Sequence, residues 1–346
     1  MAGLSLCCSC QIGYLLNQSY YQLKMLNDRE PIADVMKGAN LTPEQKEKLA
    51  LSQEARTFAE TELGLTKSKN YTSFVNLDRS AVTYVVSAAP KWELKAHQWW
   101  FPIVGSVPYK GYFNESSAKQ EEENLKAEGF DTYLRGVSAY STLGYFNDPV
   151  TSPMLRYKAH DLVNTIIHET VHVTMYFPSN ADFNERIAVF LGNKGTELFY
   201  RAKEGADSNT LLRIRNENED DKLFSVFISE ELEKLQKWYQ TFTVNDSAKA
   251  SEKNDEVRLA RIKEIQTNFK SNLAPQLRSE SYEKFHELSL NNARLLVYRT
   301  YVSDLGDFEI LFSKVNGDFK RFIQVAKSFE DSKDPVQALK KWNLEN

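Results

Sequence analysis

The stretch TIIHETVHVTM, residues 165–175, sets His168 and His172 four residues apart, with Glu169 directly after the first histidine. Zinc prefers nitrogen and sulfur donors; where it catalyses, it takes three protein ligands and leaves one position for water. Residues four apart on an α-helix lie on one face, so both imidazoles converge on one ion. Glu169 is then placed to take a proton from a water molecule attacking a carbonyl carbon. That is the chemistry of a metal-dependent hydrolase.

The competing interpretation is a buried helix with two satisfied core histidines. With five histidines in 346 residues, chance places this motif somewhere in such a chain with a probability on the order of one percent. The helix itself needs an argument, because Thr165, Ile166, Ile167, Thr170, Val171, Val173 and Thr174 are β-branched and poor helix formers. Leu162, Val163, Ile166, Ile167 and Val173 are nevertheless too continuous for an exposed strand, and the run before Pro178 is long. A buried helix is expected.

A third donor must come from a later element. Positions 175 and 178 are Met175 and Pro178, so the extended pattern with a glycine and a third histidine is absent. Glu185, in DFNERIAVF, is the first glutamate downstream. If the motif helix ends at Phe177 and a second helix returns antiparallel from Asp182, His172 lies roughly 7 Å and Glu185 roughly 5 Å from the turn. Glu197 would lie roughly 22 Å along the return helix, beyond His168 at roughly 13 Å. Glu185 therefore fits better than Glu197. Its competing role is a helix cap, since Asp182 and Glu185 have capping-box spacing.

Leu41 to Leu63 reads as a helix, opened by Thr42 with Gln45 three residues on. From Asn70 the texture changes. SAVTYVVSA (80–88), HQWWFPIVGSVPYKGYF (97–113) and TYLRGVSAYSTLGYF (132–146) are β-branched, aromatic and punctuated by Gly and Pro, as in strands of a small sheet. SSAKQEEENLKAEG (116–129) between them is helical, and after Asn147-Asp148-Pro149 the chain stays helical. The fold class expected is α+β. A small mixed sheet in the N-terminal half, about 70–150, packs against the motif helix, and the part from 155 to 346 is mainly helical. Residues 1–35 read as a signal remnant or amphipathic segment, and 36–346 as a single unit.

Composition sets the outer bounds. A chain that is 42% hydrophobic and 12% aromatic can bury a sizeable core. Lys plus Arg number 43 against 47 Asp plus Glu, a net charge of −4 without a basic block, which argues against nucleic acid as a partner. Cys7, Cys8 and Cys10 are the three cysteines, so no internal disulfide framework or zinc ribbon can be built, and a processing or lipidation signal suits them better. The apolar run from Ile12 to Leu26 is broken by Asn17, Gln18 and Gln22 and is too polar to cross a bilayer.

HETVH followed by FNERIA, with VPYKGYF (107–113) and AYSTLGYFNDP (139–149) before it and NNARL (291–295) with Tyr301 after it, resembles the bacterial family of predicted aminopeptidases. The resemblance covers nearly the whole chain. It implies a zincin fold of the glutamate-ligand (gluzincin) type, with His168, His172 and Glu185 as zinc ligands and Glu169 as general base. CQIGYLLNQSYYQLKML is similar to that family's start after its lipobox cysteine. This implies a lipid on Cys10 and a membrane-anchored lipoprotein of the cell envelope facing the periplasm. Cys7 departs from the pattern, standing where a leucine is usual.

The expected reaction is hydrolysis of a peptide, with Zn2+ as cofactor. Tyr109, Tyr112, Tyr140, Tyr145, Tyr298, Tyr301 and His286 are candidate oxyanion donors, unranked by sequence. YSTLG (140–144) suits an edge strand for an extended peptide or an ordinary core strand. Asn291 and Asn292 suit a substrate terminus or a helix cap. The alternative of another class is a non-catalytic, metal-stabilised envelope scaffold that binds peptides, and Glu169 discriminates the two.

Overall fold

The computed structural model describes residues 14, 18–101, 105–138, 146–242, 254–301 and 305–346. Strands are short and, among the described residues, fall into three small sheets in place of the one expected. β1 (Glu30–Pro31) pairs antiparallel with β2 (Ser73–Val75), which pairs parallel with β8 (Val150–Thr151). A second sheet has the order β6-β3-β7, from β3 (Thr83–Pro90), β6 (Lys110–Tyr112) and β7 (Phe130–Val137). β4 (Trp99–Phe101) and β5 (Gly105–Val107) form an antiparallel pair with Trp99 opposite Val107. Six of these strands run only two or three residues, and Gly or Pro lies in or beside all of them but β2. Central β3 buries five consecutive residues, Val85 to Ala89, which explains its unalternating apolar run.

Among the described residues, five helices open on a capping side chain. α1 (Pro43–Thr61) opens with the full capping box, Thr42 Oγ1 accepting from Gln45 N at 3.2 Å and Gln45 Oε1 from Thr42 N at 2.9 Å. α2 (Glu115–Ala127) follows β6; α3 (Ala159–Thr174) carries the histidines; and α4 (Ala181–Glu204) is next. Then come α5 (Asn209–Gln240), α6 (Asp255–Asn268), α7 (Asn292–Tyr301), α8 (Gly306–Lys314), α9 (Phe319–Lys327) and α10 (Pro335–Glu345). Ser208, Asn254, Asp318 and Asp334 each cap their helix by accepting an amide N–H from the first turn. No helix among the described residues is long and apolar enough to cross a membrane.

The chain clusters into two compact units. The first comprises Met1–Val85, Gly111–Lys119 and Arg135–Thr174. In it α1 packs along α3, burying Leu49, Ser52, Ala55 and Ala59. Small side chains at 52, 55 and 59 let two helix backbones approach closely. Met25, Val75, Val82 and Phe113 form a second cluster. Here Tyr14 Oη donates to Gly111 O at 2.6 Å and Phe113 N donates to Gln18 Oε1 at 3.1 Å.

The second unit comprises Val86–Lys110, Gln120–Leu134 and Met175–Asn346. Its core runs along α5 through Phe224, Ile228, Leu232, Leu235 and Tyr239, against Ile262, Ile265, Phe269 and Phe285. A buried polar node crosses this core. Arg258 of α6 donates to both carboxylate oxygens of Asp131 at 2.6 and 3.1 Å, and Asn292 N donates to the same group at 2.9 Å. Asn292 Oδ1 accepts from Tyr239 Oη at 2.8 Å, while its Nδ2 donates to Pro90 O at 2.9 Å and Lys91 O at 3.0 Å. Arg258 and Asp131 are 3% and 7% exposed, so neither charge is stabilised by bulk water and each depends on the other. We predict that Arg258→Ala lowers unfolding stability by about 3–5 kcal/mol, read as a shift in the urea midpoint.

Candidate metal centre

α3 forms despite its propensities because its threonines are satisfied locally and its apolar face is buried. Thr165, Thr170 and Thr174 donate their hydroxyls to the carbonyls of Asp161, Ile166 and Thr170 at 2.8, 2.6 and 2.7 Å. Leu162, Val163, Ile166, Ile167 and Val171 are all 0% exposed, and this burial outweighs the few tenths of a kcal/mol that each β-branched residue costs. On this helix the Nε2 atoms of His168 and His172 stand 3.2 Å apart, their rings nearly perpendicular at 80°.

The helix ends at Thr174, three residues earlier than the sequence suggests. Phe177 precedes Pro178, and the proline ring disfavours helical geometry at the residue before it. One side chain then closes the turn. Asn184 Oδ1 accepts from Phe177 N and Asn184 Nδ2 donates to Phe177 O, both at 2.8 Å. Ser179 takes the left-handed conformation at φ 61, Asn180 N donates to Phe177 O at 3.2 Å, and the Phe177 and Phe183 rings stack edge to face at 4.7 Å. α4 therefore starts at Ala181. Its N-cap is Asn180, with no side-chain cap bond, so the capping box considered for Asp182 and Glu185 does not form.

Asn184 precedes Glu185 in FNERIA, and clamping one sets the level of the other. The ligand atoms of His168, His172 and Glu185 all lie within 4.8 Å of one another. Two nitrogens bound to one tetrahedral zinc at about 2.05 Å each would stand about 3.3 Å apart, which the 3.2 Å between the imidazoles matches. Two imidazole nitrogens and a carboxylate oxygen are a zinc donor set. Glu197 does not join this group; its carboxylate accepts from Asn218 Nδ2 at 2.7 Å. A second group, His160, Asp161 and Glu217, also converges within 4.8 Å. There His160 Nε2 lies 3.4 Å from the carboxylate of its chain neighbour Asp161.

Tyr157, two residues before α3, is a polar group that motif spacing did not single out. Burial pushes its phenol above the usual range, a Ser138 hydrogen bond opposes this, and the charges of Glu169 and Asp161 add to the rise. It is a protonated phenol within electrostatic reach of Glu169. Its sequence signal, the tyrosine of MLRYKAHD just before the motif helix, is too common to stand out.

Other candidates fall elsewhere. Tyr109 is 38% exposed in the link between β5 and β6. Tyr112 is buried edge-on to Tyr14, and Tyr298 packs on Phe224 and Phe285. His286 sits beside Glu287 in a short 3-10 turn. Tyr301 closes α7, its side chain outside the described atoms. Cys10, Tyr140, Tyr145 and the YSTLG stretch lie outside the described residues. Asn292 is 0% exposed, with its amide engaged in the polar node, so it serves the fold there and not a substrate terminus. Asn291 Nδ2 donates to Thr132 O and its Oδ1 caps Arg294 N.

Compared with known protein families, residues 13–340 match the one described as "Putative aminopeptidase". The chain belongs to this aminopeptidase family. No curated protein and no solved structure matches it. The span aligned with the aminopeptidase family holds the histidine pair, Glu185, the Asn184 clamp and NNARL together. Because Asn184 satisfies two buried backbone groups at once, we predict that Asn184→Ala costs about 2–4 kcal/mol in urea denaturation. Asn180→Ala, which removes only an exposed bond to Pro178 O, is expected to cost under about 1 kcal/mol.

Proposed function

We propose that the chain is a zinc-dependent peptidase of the aminopeptidase family in which His168, His172 and Glu185 hold the metal and Glu169 is the general base. One observation carries this reading: two imidazoles and a carboxylate from consecutive helices bring their ligand atoms within 4.8 Å, with a second glutamate next to the first imidazole. A purely structural metal site has no use for that glutamate.

Zinc, when bound, supplies the Lewis acidity that brings the ionisation of water close to neutral pH. Glu169 accepts the proton of the attacking water and later returns it to the departing amine. Tyr157, whose phenol is kept protonated at neutral pH by burial and then by the charges of Glu169 and Asp161, is the candidate hydrogen-bond donor to the developing oxyanion. A lipid on Cys10 and an envelope location complete the proposal. Tyr14, the fourth residue after that cysteine, is bonded to Gly111, so such an anchor would hold the first unit close to a bilayer.

Elemental analysis of the purified chain is expected to find one equivalent of zinc, lost in His168→Ala and Glu185→Ala. Glu169→Gln should keep the zinc and lower kcat by about 10²–10⁴. Tyr157→Phe should keep the zinc and lower kcat by about 10²–10³. Cleavage of free but not N-blocked peptides would match an aminopeptidase. Full-rate turnover by Glu169→Gln would overturn the base assignment, absence of bound metal the ligand assignment, and zinc without turnover of any peptide would favour the scaffold reading.

A further inference from the structure

The second unit holds a cavity of about 580 Å3 between α4, α5 and the start of α8, within the roughly 300–1,000 Å3 of small-molecule sites. Three contacts fix its levels. Asn218 of α5 donates to Glu197 of α4 at 2.7 Å. One turn on, Lys222 of α5 and Lys194 of α4 both meet the carboxylate of Glu309 on α8, at 3.7 and 3.1 Å. A step forward along α5 thus matches a step back along α4, so the two helices run antiparallel and Val226 comes level with Phe190 one turn further. The cavity is therefore charged at its Arg215 end and apolar at the other, where Val189, Phe190, Val226 and Leu305 line it.

Much of the charge in this lining is already matched. Glu309 serves both lysines, Lys222 also meets Glu219 at 2.9 Å, and Asp221 accepts from Tyr282 at 2.6 Å. Other groups of the lining have no match among the described residues. The guanidinium of Arg215 makes no hydrogen bond or ion pair, and Asn218 uses its Nδ2 but not its Oδ1. Ser225 is only 6% exposed, yet its hydroxyl has no partner. A buried hydroxyl ordinarily finds one, and a helical serine has the carbonyl four residues back within reach. Arg215 and Asn218, three residues apart, are neighbours on one face of α5. Ser225 lies two turns beyond Asn218 on the same side, about 10 Å along the axis at 1.5 Å per residue.

We infer that this cavity binds a free aromatic α-amino acid, with tyrosine the best fit. A carboxylate suits the planar fork of Arg215. The ammonium on the adjacent carbon of such a ligand suits Asn218 Oδ1 and the Glu197 carboxylate bonded to the same side chain. The ring then lies at the level of Lys194 and Lys222, whose ammonium groups favour an aromatic face, with Val189 and Val226 at its apolar end. A phenol hydroxyl there meets the unmatched hydroxyl of Ser225. The cavity lies wholly in the second unit and contains no residue of the candidate metal centre, so the inference does not rest on the proposed hydrolysis.

The test titrates the full chain by calorimetry with L-tyrosine, L-phenylalanine, tyramine and para-hydroxyphenylpropionate. Tyramine lacks the carboxylate and the propionate lacks the amine, and each is expected to bind about tenfold or more weakly than tyrosine, since each leaves a charged hydrogen bond unmade. Arg215→Gln should abolish the preference for tyrosine over tyramine, and Ser225→Ala the preference for tyrosine over phenylalanine. Arg213→Gln, exposed on α5 outside the lining, should change neither. Val226→Trp, at a residue 61% exposed, should fill the apolar end and weaken all four ligands. In His168→Ala, which removes a proposed zinc ligand, tyrosine should bind with the wild-type Kd. Absence of tyrosine binding, equal binding of tyrosine and tyramine, or tyrosine binding unchanged by both Arg215→Gln and Val226→Trp would overturn the inference. Binding lost in His168→Ala but kept in Arg215→Gln would assign the amino acid to the metal centre and overturn the cavity as its site. Binding sensitive to Arg215→Gln in a chain that carries no zinc would keep this site and sink the proposed function.

Discussion

The candidate centre depends on one amide. Asn184 answers both the N–H and the C=O of Phe177, and in doing so it fixes the turn between a helix whose length is limited by Pro178 and a helix that begins without a side-chain cap. A shift of one residue in that turn would rotate Glu185 by about 100° about its helix axis and move it about 1.5 Å along it. The ligand atoms of His168, His172 and Glu185 lie within 4.8 Å of one another.

The helical unit rests on a second polar anchor of different character. Asp131 and Arg258 bury opposite charges, and Asn292 links them to α5 through Tyr239 and to the end of β3 through the carbonyls of Pro90 and Lys91. Every partner in this network needs the others, because the low dielectric of the core penalises any group left alone. The NNARL segment is therefore intelligible as a folding element. Asn291 and Asn292 reach backbone carbonyls and a carboxylate that no local structure satisfies.

Much of this was legible before any coordinates. The Thr42 capping box, the histidine helix and the helix that follows it carrying Glu185 are legible from spacing and caps. What was not legible follows from interactions between distant residues. The single small sheet resolves into three, since strand pairing depends on partners tens of residues away and strands of two or three residues carry almost no periodic signal. The competing cap role for Glu185 looked sound by spacing but does not form, because Asn180, not Asp182, begins the helix. Tyr157 stood among 17 tyrosines with nothing in its type or spacing to mark it.

By itself the sequence determined which atoms are available for chemistry, two imidazoles one helical turn apart and a glutamate beside the first, because helical geometry converts spacing of four into a shared face. It also determined the family. Only the tertiary structure showed that a ligand atom of Glu185 lies within 4.8 Å of those of the two imidazoles and that Asn292 serves the core. Each of these depends on where a second segment of chain lies. That position is set by packing and by buried hydrogen bonds between residues far apart in sequence, which no local pattern encodes.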